Sequence, residues 1–338
     1  MVTIKTGPTK KKATSYLVAE EAGVSQSAVS RAYKEGGSVS KATREKINAA
    51  AKKLGYRPNA IARSLISKRS NMIGIVMADI TNPFYPAVLE IFLNKLQDAG
   101  QRAMVLMASR DQQVDDLLPQ LLEYQIDGLV ITSATLSSEM ALRCSEMGVP
   151  VVLFNRSVPN SHCSSICCDN QGAARQVAEL FIRQGFKSIA YIAGLENTST
   201  NRERESGFYS RLAEAGLEPV QVVGDFTHDG GYRAALELAE GGSYPQAIFC
   251  ANDIMAMGAM EAIRYKLNLS IPEDVSIVGF DDIANSSWPA YNLTTVRPPV
   301  ERMVQRTIDN LLESQNSDSP ILVTEIVSAE LVVRGSTA

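Results

Sequence analysis

The sequence predicts an α/β protein: an all-α helix-turn-helix head followed by two doubly wound parallel-sheet subdomains. Three observations predict it. Basic residues crowd the first 70 positions, a glycine turn there separates two short helical patterns, and the remainder alternates strand-length apolar runs with amphipathic stretches. The chain has 338 residues, a length that suits two or three domains rather than one.

The net formal charge of −4 hides a division. Residues 1–70 carry 15 Lys+Arg against 4 Asp+Glu, a net +11, while the rest carries 18 against 33, a net −15. A basic segment attached to an acidic body is the electrostatic footprint of a nucleic-acid binder. A merely solvated basic tail would lack apolar periodicity, and this segment has it.

In the head, Val18, Ala19 and Ala22 give one apolar face, and Gly23 breaks that helix because only glycine takes a positive φ cheaply. Ser25 is placed to cap the next helix, in which Val29, Ala32 and Tyr33 turn inward at helical spacing. Gln26, Ser27, Ser30 and Arg31 then share the opposite face, where their side chains suit base edges and phosphates, Arg31 above all guanine. Ser40 caps a third helix with Ile47, Ala50, Ala51 and Leu54 on its apolar face, and Gly55 ends it. Helix, glycine turn and polar-faced second helix spell a helix-turn-helix, although similar helix pairs also serve as plain structural elements.

Beyond residue 70 the strand-like runs are Met72–Ala78, Met104–Met107, Gly128–Thr132 and Val149–Phe154, then Ser188–Ile192, Val220–Val223, Ala247–Cys250 and Val275–Gly279. Helical stretches lie between them, as at Pro83–Ala99, Val114–Tyr124 and Ser138–Met147. Continuous apolar strands alternating with helices mean parallel sheets covered on both faces. Two such series mean two subdomains, and ligands bind beyond the carboxyl ends of such strands. Those ends carry Asp79, Asn155, Asn252, Asp253, Asp281 and Asp282, with Phe226 after another strand. Each alone is explained as a turn former; their convergence on one cleft points to a ligand site.

Several function classes are excluded by what is missing. No nucleophile elbow, phosphate loop or dinucleotide motif accompanies the strand ends, so an enzyme is not expected. The five cysteines, Cys144, Cys163, Cys167, Cys168 and Cys250, match no metal or redox spacing and read as buried thiols. His162 and His228 are the only histidines, so no metal site and no cofactor are expected. No secretory signal or membrane-length apolar run is found, and a cytoplasmic protein with no membrane partner is the expectation.

The strings Val18-Ala-Glu-Glu-Ala-Gly-Val-Ser-Gln-Ser-Ala-Val-Ser-Arg31, Val39-Ser-Lys-Ala-Thr-Arg-Glu-Lys46 and Leu54-Gly-Tyr-Arg-Pro-Asn-Ala-Ile-Ala-Arg-Ser-Leu65 closely resemble the head of the lactose-repressor/galactose-repressor (LacI/GalR) family. The core is similar to that of the same family, itself periplasmic-binding-protein-like, through Asp79-Ile-Thr-Asn-Pro-Phe-Tyr85, Gln125-Ile-Asp-Gly-Leu129, Cys250-Ala-Asn-Asp-Ile-Met-Ala-Met-Gly-Ala259 and Ile271-Pro-Glu-Asp-Val-Ser-Ile-Val-Gly-Phe-Asp-Asp282. Leu17 and Ala28 depart from it, standing where Asp and Thr are usual, beside or within the reading unit.

The resemblance implies residue roles. Gln26, Ser27 and Arg31 would read bases, with Ser25 and Ser30 beside them. Asn59, Ala62, Arg63 and Leu65 would lie in a hinge segment that becomes helical in the minor groove, with Leu65 wedged between base pairs. From pattern alone, a linker leucine packed on the core explains Leu65 equally well. In the core, Arg204 and Asp281 would grip effector polar groups, Asn155 and Asn252 would add hydrogen bonds, and Phe84 and Phe226 would supply apolar faces; Asp79 and Tyr85 complete the ligand set. The implied domains are residues 1–58 (head), 59–70 (hinge), 71–168 with 298–321, and 169–297 with 322–334, the chain crossing between the last two near Asp169, Pro298 and Ile321.

The expected function is therefore a sequence-specific transcriptional regulator, by family default a repressor. Its partners would be a near-palindromic double-stranded operator and a small-molecule effector, a sugar or sugar derivative, with a nucleobase as the alternative. The last residues, Leu331-Val-Val-Arg-Gly-Ser-Thr-Ala, hold no leucine heptad, so a homodimer is expected. The competing readings are a transport solute-binding protein, opposed by the basic head, and an α/β metabolic enzyme, opposed by the missing catalytic motifs.

Overall fold

The computed structural model describes residues 13–33, 37–57, 69–77, 80–108, 114–132, 138–158, 162–317 and 321–338. These fall into two compact units, residues 1–70 and 71–338. The hinge residues Asn59, Ala62, Arg63 and Leu65, and Asp79 in the core, lie outside the described residues.

The first unit holds α1 (Ser15–Ala22), α2 (Gln26–Ala32) and α3 (Lys41–Leu54). Each begins on a hydroxyl cap: Thr14 accepts from the Leu17 N–H, Ser25 from that of Ala28 and Ser40 from that of Thr43. These bonds satisfy backbone donors that the helix itself leaves free. Gly23 ends α1 at φ 64°, a conformation that costs any other residue a steric penalty. Val18, Val29 and Ile47, one from each helix, are fully buried among Ala19, Ala32, Ala50 and Ala51. Burying each of the three larger side chains contributes roughly 1.5–3 kcal/mol. Arg44 on α3 closes the far side of this core: its guanidinium donates to the Ala32 carbonyl at the end of α2 and, at 3.1 Å, to that of Gly37.

The second unit begins with β1 (Met72–Met77), α4 (Phe84–Asp98), β2 (Arg102–Met107), α5 (Val114–Glu123), β3 (Gly128–Ile131), α6 (Ser138–Glu146), β4 (Val151–Phe154) and β5 (Ser164–Cys168). It continues with α7 (Asn170–Arg183), β6 (Ile189–Ala193), α8 (Ser199–Glu214), β7 (Val220–Val223), α9 (His228–Glu240), β8 (Ala247–Cys250), α10 (Asp253–Tyr265), β9 (Ser276–Phe280) and β10 (Thr294–Arg297). The chain then forms α11 (Val300–Gln315), β11 (Thr324–Val327) and β12 (Glu330–Val332). The strands make two six-stranded sheets, ordered β11-β5-β4-β3-β1-β2 and β12-β10-β9-β8-β6-β7. Pairing is parallel throughout except between β10 and β12. The central strands β3, β4, β6, β8 and β9 are buried at every residue, which is why they read as unbroken apolar runs rather than as alternating ones.

One boundary differs from expectation. A crossing near Ile321 would put residues 322–334 with the second sheet, but β11 pairs in parallel with β5, from Thr324 opposite Ser165 to Val327 opposite Cys168. The segment is stapled there: Ser164 Oγ donates to the Ile321 carbonyl at 3.0 Å and accepts from the Val323 N–H at 3.1 Å, and Asn310 Nδ2 donates to the same carbonyl. The third crossing therefore falls between Val327 and Glu330, and β12 joins the other sheet as its antiparallel edge.

All five cysteines are free and buried, and burial pushes the thiols of Cys144 and Cys167 up to about 11. Among the described residues no cluster of His, Cys, Asp and Glu could hold a metal ion, and no helix is long and apolar enough to cross a membrane.

Candidate functional site

In the first unit, α2 turns its two faces as the spacing predicts. Val29 and Ala32 are buried, Ser25, Gln26, Ser27 and Arg31 are exposed, and Ser30 is half-buried. Ser25 and Ser27 share a 2.9 Å hydrogen bond, and Gln26 Nε2 reaches Ser15 Oγ at 3.4 Å. These contacts hold the first turn of α2 while leaving Arg31 without a salt bridge among the described residues. Ala28 is buried at 9% exposure, so this departure from the family pattern sits on the packing face. Leu17 is exposed, so the other one changes the surface.

In the second unit a cavity of about 370 Å³ opens beyond the carboxyl ends of the strands in both sheets. Asn82, Phe84 and Tyr85 enter it after β1, Asn155 and Arg156 after β4, Phe226 after β7, Asn252 after β8 and Asp281 after β9; Thr200 and Arg204 come from α8. All seven described ligand candidates from the sequence line this one space. Asn155, Asp225, Phe226 and Asp281 hold positive φ, of 56°, 53°, 58° and 121°. Asn and Asp tolerate such backbone through local side-chain hydrogen bonds, whereas Phe226 stores strain of about 1–3 kcal/mol there. Its ring lies over Gly194, where a β-carbon would stand 2.1 Å from Phe226 Cζ.

Arg204 is the most constrained side chain of the set. Its guanidinium stacks 3.6 Å from the centroid of Phe280, donates through Nε to Asn170 Oδ1 at 2.9 Å and through Nη1 to the Ala251 carbonyl, and holds Nη2 3.6 Å from Asp281 Oδ1. Both charged groups are nearly inaccessible to solvent. Burial pushes the Asp281 carboxyl up to about 7, while Arg204 and a hydrogen bond from Asn82 pull it back. The 3.6 Å separation exceeds a hydrogen bond, so Arg204 Nη2 and the Asp281 oxygens both retain capacity for a ligand.

Asn155 Oδ1 is buried with no hydrogen-bond partner, an arrangement that costs about 1–3 kcal/mol unless a donor arrives. Asn252 divides its amide: Oδ1 caps α10 by accepting from the Met255 N–H at 3.0 Å, and Nδ2 has only a 3.5 Å contact with the Phe226 carbonyl. Asp253 serves structure. Its oxygens accept from the Ile283 N–H at 3.0 Å, Ser286 Oγ at 2.6 Å and Thr295 Oγ1, pinning the loop that carries Asp281.

Six cavity residues, Asn82, Arg156, Leu195, Asn197, Thr200 and Asp225, escape sequence reasoning. Asn82 Oδ1 accepts from the Phe84 N–H at 3.0 Å, and its side chain acts on Asp281 from the opposite half, lowering that carboxyl against the effect of burial. Arg156 donates to Thr200 Oγ1 at 2.7 Å, also across the cleft. Nearby, Ser157 binds Ser199 and Glu203 in the same sense. The available signal for Arg156 was its place one residue after Asn155 at a strand end.

A polar-faced helix-turn-helix joined to a two-sheet ligand cleft defines a DNA-binding regulator governed by a small molecule. Residues 16–59 match the family described as bacterial regulatory proteins, lacI family, and residues 178–337 match the periplasmic binding protein-like domain. The chain belongs to the lacI family of transcriptional regulators. It is 32% identical to catabolite control protein A of Priestia megaterium over 91% of this chain and 95% of that protein. Among solved structures it resembles a lac repressor dimer bound to operator and an anti-inducer, with a TM-score of 0.88 and 29% identity over 97% of this chain and 99% of that one. It also resembles a complex of the regulator CelR with cellobiose, with a TM-score of 0.72 and 29% identity over 96% and 100%.

Proposed function

We propose that the protein is a repressor that binds a near-palindromic operator as a homodimer and releases or tightens its grip when a sugar or sugar derivative enters the core cleft. A dimer bound to operator is seen for the lac repressor and a complex with cellobiose for CelR, and the residues of this chain suit both. Gln26, Ser27 and Arg31 read base edges in the major groove; Ser25 and Ser30 support them. Asn59, Ala62, Arg63 and Leu65 form the hinge contact in the minor groove.

The observation that carries the effector assignment is the buried, unpartnered Asn155 Oδ1. It calls for a donor, and a sugar hydroxyl supplies one. Asp281 accepts from further hydroxyls, Arg204 Nη2 and Asn252 Nδ2 donate to ring or hydroxyl oxygens, and Phe84 and Phe226 cover the apolar ring face. Tyr85 lines the same cavity, and Asp79 completes the proposed ligand set. The cleft binds its ligand without transforming it, in the cytoplasm, where the operator is. Effector and operator are linked reciprocally, since whichever angle between the halves one favours, the other must meet.

Operator binding by the full chain, followed by fluorescence anisotropy on a palindromic duplex with and without sugars or nucleobases, tests this. The expected result is a salt-dependent, sequence-selective complex whose affinity one class of sugar shifts. Indifference to every duplex, or a response to nucleobases alone, would overturn the respective half of the proposal.

A further inference from the structure

The cleft holds two arginines, and their situations differ. Arg204 is held through Nε by Asn170 and through Nη1 by the Ala251 carbonyl, stacks on the Phe280 ring, and has Nη2 paired at 3.6 Å with Asp281. Arg156 is half-buried and lines the same cavity, yet its guanidinium makes one hydrogen bond, from Nη1 to the neutral hydroxyl of Thr200. Among the described residues it has no ion-pair partner. The nearby Glu203 accepts from Ser157 Oγ at 3.1 Å and from Asn170 Nδ2 at 2.8 Å and makes no ion pair with Arg156.

Asp281 feels the Arg156 charge across the cavity but does not pair with it, and a guanidinium facing a ligand cavity with its fork largely unused is a ready receptor for a planar anion. Building on the sugar reading above, we propose that the effector is a sugar acid, a polyhydroxy monocarboxylate whose carboxylate pairs with Arg156. The hydroxyls meet Asn155 Oδ1 and Asp281. A monocarboxylate adds one negative charge at the unpaired guanidinium, whereas a phosphate dianion would add two in a cleft that already holds Asp225 and Asp281. A cavity of about 370 Å³ lies at the small end of the roughly 300–1,000 Å³ range of ligand sites and suits one ring or open-chain unit. Arg156 and Thr200 come from opposite halves of the core, so an anion on Arg156 also bears on the contact that bridges them.

The test is isothermal titration of the full chain with D-glucuronate, D-galacturonate and D-gluconate, their neutral counterparts D-glucose and D-galactose, and D-glucose 6-phosphate. The acids are expected to bind on the order of 10- to 100-fold more tightly than the neutral sugars, the range of a charge-assisted hydrogen-bond pair. Arg156→Gln should erase that preference with circular dichroism unchanged, and Arg156→Lys, which keeps charge but loses the fork, should retain part of it. Equal binding of acids and neutral sugars would overturn the carboxylate assignment and leave the sugar reading standing. Tighter binding of the phosphate would overturn the monoanion. A preference that survives in a folded Arg156→Gln would remove Arg156 as its source. Silence from all six compounds would bring down the sugar reading and this inference with it.

Discussion

Arg204 sits over Phe280, its guanidinium carbon 3.6 Å from the ring centroid, and this contact holds a buried cation of the effector cleft opposite Asp281. The pair is weak evidence for stability, because desolvating two charges offsets most of their attraction. It is strong evidence for preorganisation, because neither group must move to meet a ligand.

Breaking the pair from one side should therefore be costly. Arg204→Met is expected to destabilise the core by about 3–5 kcal/mol, leaving the Asp281 carboxylate buried without its counter-charge. Urea denaturation checks the figure. The double variant Arg204→Met with Asp281→Leu should recover much of the loss while remaining unresponsive to effector.

The Asp281 carboxyl sits at about 7, above its unfolded value of about 3.9. The folded chain thus holds the proton longer. The associated stability is fully present below the unfolded pKa and is lost as pH rises toward 7; Asp253, pushed up to about 6 by burial, acts in the same direction. A sugar hydroxyl needs the ionised form as acceptor, so effector affinity should fall up to about tenfold per pH unit below 7. Calorimetry between about pH 6 and pH 8 reads the slope, and a flat profile would place the proton elsewhere.

Gly194 lies under the Phe226 ring. Gly194→Ala has no room for its methyl group and should push Phe226 from its place at the cavity wall, weakening effector binding about tenfold or more at a folding cost of roughly 1–3 kcal/mol. Thermal melts with and without effector separate the two effects. An unchanged effector shift would show that the Phe226 wall is not used.

On the reading face, Arg31→Ala should cost about 1–3 kcal/mol at the preferred operator and relax base choice at one position in each half-site. Selection from randomised duplexes measures this. A uniform loss across all sequences, with the salt slope reduced by about one, would reassign Arg31 to phosphate.

The features legible in the sequence are those with a local cause. Caps at Ser25 and Ser40, the break at Gly23 and the inward faces of α1 to α3 follow from residues within a few positions of one another, as do the buried strands. The strand-end polar residues were visible because topology places them together. Arg156 and Asn82 were not, since their meaning depends on partners in the opposite half, Thr200 and Asp281. The fate of β11 was hidden for a related reason. Only Val327 of its four residues is buried, so periodicity does not assign it to a sheet; the Ser164 hydroxyl does.

That late placement of β11 and β12 has a consequence for synthesis. The two strands are adjacent in the chain yet complete different sheets, and Ser336 and Thr337 lock onto Ile277 and Thr294 just beyond them. A ribosome therefore releases finished reading helices long before either half of the sensor can close its edge. For much of its time as a nascent chain, the regulator has the part that addresses a gene and not yet the part that takes orders from metabolism.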